Sequence, residues 1–242
     1  MDPVLIRRVV LASLLGWGTY ALTRQCRKPA GWLGRRIARA MNISHARLTT
    51  WGLDHVRVEP SWRILDIGCG GGRTIRRLAA LASAGHVDGV DYSSASVAVA
   101  RATNLDLIGD QRVSVEQGTV SRLPFGDGSF DLVTAVETHY YWPQLSTDLR
   151  EIVRVLKPGG RLVMIAETYK GRRLDWLYRP VMTGLLRSTY LTPDEHGAAL
   201  RGAGFDAVAV DIDRSRGWIC VVGSRPVNAL VTSTGNSSRG AP

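Results

Sequence analysis

The chain has 242 residues, of which 45% are hydrophobic; this is enough for one full-sized core and excludes a mini-protein that depends on disulfide or metal staples. Its three cysteines, Cys26, Cys69 and Cys220, are too few and too widely spaced for a disulfide framework or a zinc site, so we expect a reducing, cytoplasmic compartment and no metal. The formal net charge is +10, but residues 1–60 hold ten basic and three acidic side chains, so the remainder lacks the charged face that a nucleic-acid partner requires.

The first unit, residues 1–28, contains an uncharged apolar stretch at 9–22 with Arg7 and Arg8 before it and Arg24 after it. The stretch is too short for a membrane span, which needs about 20 apolar residues. No Ala-x-Ala-like site follows it, so we do not expect a cleaved signal peptide. Two interpretations remain: a helix in the membrane interface, at the inner face of the membrane, or a helix packed on the protein itself or on a partner.

The second unit, residues 29–60, begins with a helix breaker at Pro29. Apolar residues then recur at helical spacing with basic residues between them, which predicts one or two amphipathic helices that cap an apolar surface. This cap either docks on the outside of the main domain or roofs a ligand cleft. In the second case His45 or Trp51 would face the substrate.

The third unit, residues 61–225, alternates short apolar runs with helical patterns. Strands are predicted at 63–67, 86–90, 113–117, 131–136 and 161–166, with helices at 73–84, after Ser93 and after Ser146. This alternation predicts right-handed crossovers and a doubly wound α/β domain with a mainly parallel sheet. Ligands of such domains bind outside the carboxyl ends of the strands, where the strand order reverses.

After the fifth strand the pattern changes to an insertion, residues 168–191. Its apolar side chains, among them Trp176, Tyr178 and Met182, are unusual for a solvent loop and indicate a lid over an apolar substrate.

A helix then begins at a capping box formed by Thr192 and Glu195. The apolar runs at 207–212 and 218–223 are joined by a connection too short for a crossover, so these two strands must be antiparallel. Residues 226–242 are rich in Ser, Thr, Gly and Asn, and we expect them to be disordered.

The first strand runs into a glycine-rich turn with Gly68, Gly70 and Gly72, and a helix follows. Glycine lets the backbone approach a ligand closely, and the free N–H groups at the helix start offer hydrogen-bond donors. A carboxylate, Asp91, ends the second strand; there it can accept both hydroxyls of a ribose through charge-assisted hydrogen bonds worth about 1.5–3 kcal/mol. The pattern predicts a site for a nucleoside-containing cofactor. The alternative is that the glycines only permit close packing of the helix and the strand.

Four motifs now occur in order, ILDIGCGGGRT at 64–74, GVDYS at 89–93, LPFGDGSFDLV at 123–133 and LREIVRVLKPGGRLVM at 149–164. Because of these motifs, residues 61–225 resemble the class I S-adenosylmethionine-dependent methyltransferases. The resemblance is closer to their small-molecule subgroup, methyltransferase type 11. The resemblance implies a Rossmann-like seven-stranded sheet with an antiparallel last strand, and S-adenosyl-L-methionine as the cofactor.

The resemblance also implies a set of cofactor contacts: the methionine end on Asp66, Gly68, Cys69, Gly70 and Gly72, the ribose on Asp91, and the adenine against Tyr92. Family members often bind the adenine amine with an acidic residue in the turn after strand three. Here the matching residue is Thr119, which carries no charge. We therefore expect the adenine to depend on the Val120 backbone and on apolar packing.

Methyl transfer from a sulfonium is an in-line displacement, so the protein has to align the two reactants and exclude water, and a base is needed only for a protonated nucleophile. The end of strand four, residues 137–142, faces the sulfonium and offers a carboxylate, an imidazole and three aromatic rings. We predict that Glu137 and His139 are catalytic residues and that Glu137 also contacts the cofactor. For each residue the alternative is a purely structural role. Glu167, at the end of strand five, points toward the same cleft.

The leading hypothesis is methyl transfer to a small, apolar or lipid-like acceptor near the membrane. A nicotinamide-dependent oxidoreductase would share the glycine turn and the ribose carboxylate, but it requires neither Asp66 nor the turn at 157–160. A membrane-tethered module that binds the cofactor without catalysis is the non-enzymatic alternative.

Overall fold

The computed structural model describes residue 25 and residues 28–227, without the side chains of residues 40–44. The predicted apolar stretch at 9–22, Cys26 and nearly all of the predicted disordered tail lie outside these residues, so their interpretations stay predictions. None of the helices within the described ranges has the length and hydrophobicity that a membrane span requires.

Seven strands form one sheet: β1 (Arg63–Ile67), β2 (His86–Asp91), β3 (Val113–Gln117), β4 (Phe130–Val136), β5 (Leu156–Ala166), β6 (Asp206–Asp213) and β7 (Trp218–Ser224). Their order is β3-β2-β1-β4-β5-β7-β6, with β1 to β5 parallel and β7 antiparallel to both of its neighbours. The predicted doubly wound, Rossmann-like sheet with an antiparallel last strand is therefore confirmed. The strand order reverses between β1 and β4, so the carboxyl ends of these strands mark the expected ligand position.

The helices are α1 (Gly31–Ser44), α2 (Ala46–Leu53), α3 (Arg73–Leu81), α4 (Ser94–Thr103), α5 (Leu105–Gly109), α6 (Leu145–Val155), α7 (Asp175–Arg179) and α8 (Pro193–Ala203), with a 3-10 turn at His139–Tyr141 and a π-helix at Pro180–Leu185. They cover both faces of the sheet. Ile64 packs with α2, α3 and α4, whereas its neighbour Leu65 packs with α6 and α8. Because successive strand residues point to opposite faces, both side chains are fully buried and β1 is apolar on both sides.

The cap predicted over residues 29–60 consists of α1 and α2. The backbone of α2 lies directly on β5, because a Cβ atom at Gly52 would be 2.7 Å from Ile165 Cγ2. The Cys220 thiol of β7 donates to the Gly52 carbonyl at 3.5 Å. This close packing fixes the far end of the cap beside the carboxyl ends of the strands.

The largest difference between the predicted and the observed strand boundaries is at the start of β5. The turn at 157–160 was expected to precede a strand at 161–166, but β5 begins at Leu156, which pairs with Phe130 of β4 before the register shifts. The early start has a physical cause: the backbone N–H of Gly159 donates to Arg225 O, and that of Arg225 donates to Gly160 O, so the glycines are held in the sheet.

The capping box at the start of α8 is present as predicted. Thr192 Oγ1 accepts from Glu195 N at 3.1 Å, and Glu195 Oε2 accepts from Thr192 N at 2.7 Å. The insertion before it is helical, with α7 followed by the π-helix, and its ends return to the domain through Tyr190, whose hydroxyl donates to Tyr169 O at 2.9 Å.

Candidate active site

A cleft of about 750 Å³ opens at the carboxyl ends of β1, β2 and β4. The predicted site residues that line it are Asp66, Gly68, Cys69, Gly70, Asp91, Tyr92, Thr119, Val120 and Glu137. The cap contributes lining residues from α1 and α2, including Ala38 and Thr49, together with His45 between them. The topology therefore brings four separate segments of the sequence and the cap to one cavity.

The glycine turn leaves open space at one position. Gly70 has a φ of +53°, and a Cβ atom there would find only Gly68 O, at 4.0 Å. A left-handed backbone without a side chain, beside a cavity, is the arrangement that lets a ligand touch the main chain.

Gly72 has a different role from the one predicted. It does not line the cleft, and a Cβ atom at its position would lie 2.8 Å from Ala100 Cα of α4. Its carbonyl accepts from Asn104 Nδ2 at 2.9 Å. The third glycine therefore permits α3 and α4 to pack closely and does not form part of the cavity wall.

Asp91 ties the end of β2 to the glycine turn. Its Oδ2 accepts from Gly70 N at 2.9 Å and its Oδ1 accepts from Ser93 N at 2.8 Å. Burial raises the pKa of Asp91, and the two backbone hydrogen bonds partly offset that effect. The Ser96 side chain also hydrogen-bonds to Asp91. Two carboxylate oxygens offer about four acceptor sites, so the residue can hold the turn and still accept from a ribose.

Asp66 is almost completely buried at the end of β1. Its Oδ1 accepts from Thr134 Oγ1 of β4 at 2.7 Å. Burial raises its pKa to about 7, against the lowering effect of the Thr134 hydrogen bond, and the nearby Asp91 charge adds to the increase. A cation bound beside Asp66 would favour its ionised form.

The segments around Tyr92 close the other side of the cavity. Ser93 Oγ donates to Pro29 O at 2.5 Å, and Lys28 Nζ lies 5.3 Å from the centre of the Tyr92 ring. Gly118 N donates to Asp91 O at 3.1 Å, which brings Thr119 and Val120 to the cleft. The start of the cap is therefore attached to the predicted adenine side.

Glu137 lies where β4 ends, with a φ of +57° that is unusual for a residue with a side chain. Its Oε1 accepts from the Glu167 backbone N–H and, at 3.4 Å, from the Tyr140 hydroxyl. Burial, followed by the charge of Glu167, raises the pKa of Glu137 well above its usual value.

His45 reaches the same point from the cap. Single ligand atoms of His45, Glu137 and Glu167 all lie within 4.8 Å of one another. Burial lowers the pKa of His45, and the Glu167 carboxylate partly offsets this. No Lys or Arg side chain within the described ranges forms an ion pair with either glutamate. We call these three residues the His45 cluster. Two of its members, His45 and Glu137, line the cleft, and the cluster can hold and pass a proton there.

His139 does not reach the cleft. Its side chain is buried, and its Nε2 lies 3.1 Å from His196 Nε2 of α8. Burial, followed by the nearby His196, lowers the pKa of His139 well below its usual value. The structure therefore gives His139 a core contact between the 3-10 turn and α8, whereas Tyr141 and Trp142 from the same turn do line the cavity.

The predicted lid residues do not line the cavity either. Trp176 is 73% exposed and Met182 is buried in the core, and neither lines the cleft. Conversely, the sequence pattern did not point to Arg77 of α3, which does line the cleft. The signal for Arg77 is a tertiary contact: its Nη1 donates to Thr50 Oγ1 of the cap.

Comparisons with known proteins agree with this geometry. A family model described as a methyltransferase domain matches residues 65–164. The uncharacterized methyltransferase sll0829 of Synechocystis sp. (strain ATCC 27184 / PCC 6803 / Kazusa) is 33% identical over 164 residues, which cover 64% of this chain and 72% of that protein. The chain belongs to the class I S-adenosylmethionine-dependent methyltransferases. The solved structure of a SAM-dependent methyltransferase from Aquifex aeolicus shares the fold of this chain, with a TM-score of 0.63, 20% identity, and coverage of 78% of this chain and 97% of that one.

The chain also matches a larger relative, 24-methylenesterol C-methyltransferase 2 of Oryza sativa subsp. japonica. The two are 35% identical over 130 residues, which cover 54% of this chain and 34% of the relative. This chain spans between about a third and a half of the length of the first curated relatives that it matches.

Proposed function

We propose that this methyltransferase transfers a methyl group from S-adenosylmethionine to a small, apolar or lipid-like acceptor at the His45 cluster. The proposal rests on one observation. The glycine turn, the Asp91 carboxylate that suits a ribose, and the proton-accepting His45 all line the same cleft. The sterol substrate named for the Oryza relative supports an acceptor of this class.

The chemistry of the cleft fits the cofactor. Bound S-adenosylmethionine supplies a methyl group on a positively charged sulfur, and it also carries an ammonium group. Three acidic side chains, those of Asp66, Asp91 and Glu137, line the cavity, and the positive charges of the bound cofactor would favour their ionised forms. The same carboxylates would repel the pyrophosphate of a nicotinamide cofactor.

We assign the methionine end to Asp66, Cys69 and the backbone of Gly68 and Gly70. The ribose would be held by Asp91, whose hydrogen bond from Gly70 N fixes its orientation. The adenine would lie between Tyr92 and the Thr119–Val120 backbone. Because Lys28 and Pro29 contact this side, the cap would shield the adenine from water.

The acceptor would bind where Tyr141, Trp142 and Pro143 form an apolar wall near Glu137. Aromatic faces favour a nearby cation, so the same wall suits the sulfonium. If the acceptor atom carries a proton, the neutral imidazole of His45 accepts it during the displacement. The Glu167 carboxylate then stabilises the imidazolium, which is the direction in which Glu167 already shifts the pKa of His45.

The test is a methyl-transfer assay with radiolabelled cofactor and a panel of sterols, prenyl compounds and polyketide hydroxyls. Acceptor-dependent formation of S-adenosylhomocysteine is the expected result, and His45→Gln should lower the rate for hydroxyl acceptors by about 10²–10⁴-fold, the usual contribution of a general base. The matched control is His139→Gln, whose imidazole lies outside the cleft. Cofactor binding without transfer to any acceptor would favour the non-catalytic module instead.

A further inference from the structure

The insertion carries a concentration of exposed apolar side chains. Across the described ranges, nine large hydrophobic side chains are exposed, and five of them fall within eight consecutive residues, namely Leu174, Trp176, Leu177, Tyr178 and Val181. We call these five side chains the insertion surface. Clustered apolar side chains of this kind on a soluble domain mark an interaction site more often than chance.

The insertion surface is held in position from below. Tyr190 is buried, and its hydroxyl donates to Asp175 Oδ1 at 2.6 Å. The guanidinium of Arg172 lies 4.3 Å from the centre of the Tyr178 ring, and the neighbouring Met182 is buried in the core. The exposed side chains therefore project from an anchored helical segment.

The charge around the insertion surface is strongly positive. Residues 168–191 contain five basic and one acidic residue, a net charge of +4. Arg173 and Arg187 are exposed. The β6–β7 turn adds two exposed arginines, Arg214 and Arg216, of which Arg216 pairs with Asp213 at 2.9 Å. Arg172 Nη2 donates to Arg216 O at 3.4 Å. The complementary partner is therefore apolar and anionic.

We propose that the insertion surface docks on an anionic phospholipid membrane, with Trp176 and Leu177 in the interface and the surrounding arginines on the head groups. Segments that lie in the membrane interface typically combine tryptophan and leucine on one side with arginine around them. Each basic side chain near an anionic surface adds to the attraction.

Electrostatic repulsion disfavours two other binding partners for the insertion surface. Residues 1–24 of this chain are apolar in part, but they carry a net charge of +2 and would be repelled by the arginines. A second copy of the chain would bring its own positive insertion surface to the same place. An anionic bilayer is complementary to both the apolar and the basic side chains.

Docking would bring the part of the cleft where we place the methyl acceptor close to the lipid. The insertion begins directly after the His45 cluster, where Arg172 Nη1 donates to Glu167 O at 2.9 Å. It ends where Thr189 N donates to Tyr140 O, at 2.8 Å, in the turn that follows Glu137. The inference goes beyond the proposed function, because membrane docking requires neither cofactor nor acceptor.

The experiment is sedimentation of the full chain with phosphatidylglycerol vesicles, without cofactor or acceptor. Leu177→Asp should lower the partition coefficient by about tenfold or more, because it removes apolar area and adds repulsion. The matched control is Leu105→Asp, since Leu105 is 72% exposed on α5, and it should bind like the wild type. Phosphatidylcholine vesicles should bind the wild type more weakly than phosphatidylglycerol vesicles.

A site-specific readout separates this surface from residues 1–28. Vesicles with brominated acyl chains quench tryptophan emission, and the wild type should be quenched more than Trp176→Phe. Equal quenching of the two proteins, together with equal partitioning of Leu177→Asp and Leu105→Asp, would overturn the proposal. Self-association in the ultracentrifuge that Leu177→Asp abolishes, without any vesicle binding, would overturn it in favour of a second copy.

Discussion

Replacing Gly70 with alanine adds one methyl group to the cavity wall and little else. The new Cβ atom would meet no protein atom closer than Gly68 O at 4.0 Å, so the protein itself has room for it. The residue must keep a φ of +53°, and a left-handed backbone costs an L-residue about 1–2 kcal/mol. For a domain of this size the melting temperature should fall by roughly 2–8 °C.

The effect on the cofactor should be larger than the effect on stability. The methyl group would occupy space against which we place the methionine end of the cofactor, and overpacking of a fitted site costs about 1–3 kcal/mol. The dissociation constant for S-adenosylhomocysteine should therefore rise by about 5–150-fold.

Gly128 provides a matched control for this substitution. It has a φ of +61°, its nearest neighbours are also 4.0 Å away, and it precedes β4 at the opposite end of the sheet. Gly128→Ala should lower the melting temperature similarly and leave the affinity unchanged. Isothermal titration calorimetry of both variants measures the difference. Equal affinities for Gly70→Ala and the wild type would refute the placement of the cofactor against this turn.

Three further predictions concern buried groups. Asp91→Asn keeps the shape of the side chain and removes its charge, so calorimetry should show about 10–100-fold weaker binding of S-adenosylhomocysteine; an unchanged constant would remove Asp91 from the site. Because the pKa of Asp66 is about 7 and a bound ammonium favours its carboxylate, binding should weaken as the pH falls from 8 to 6, and Asp66→Asn should abolish this dependence; a wild-type affinity independent of pH would contradict the contact. Gly52→Ala would push α2 off Ile165 and should destabilise the protein by about 1–3 kcal/mol in thermal unfolding, whereas an unaltered melting temperature would show that the cap does not pack on β5.

The sheet and the glycine turn could be predicted because their signals are local. The glycines follow directly after the apolar run of β1, and Asp91 directly after that of β2, so parallel pairing brings them together without further information. The antiparallel pair at the end could be predicted from the short connection between β6 and β7. In each case the signal lies within a few neighbouring residues of the sequence.

The features that were missed depend on contacts between distant residues. His139 looked available for catalysis, but its side chain is buried and contacts His196, a residue of α8. The early start of β5 depends on the hydrogen bonds of Gly159 and Gly160 with Arg225 and on the pairing of Leu156 with Phe130. Trp176 was expected to face a substrate because it is apolar; its outward position follows from the anchoring of the insertion by Tyr190, which the sequence pattern does not reveal.

The central claim is that the cleft beyond β1 and β2 binds S-adenosylmethionine. Calorimetric titration of the full chain with S-adenosylhomocysteine and, separately, with NAD tests it most directly. The account predicts one S-adenosylhomocysteine bound per chain with a dissociation constant on the order of micromolar or lower, and no measurable heat with NAD. Tight binding of NAD together with no binding of S-adenosylhomocysteine would contradict it.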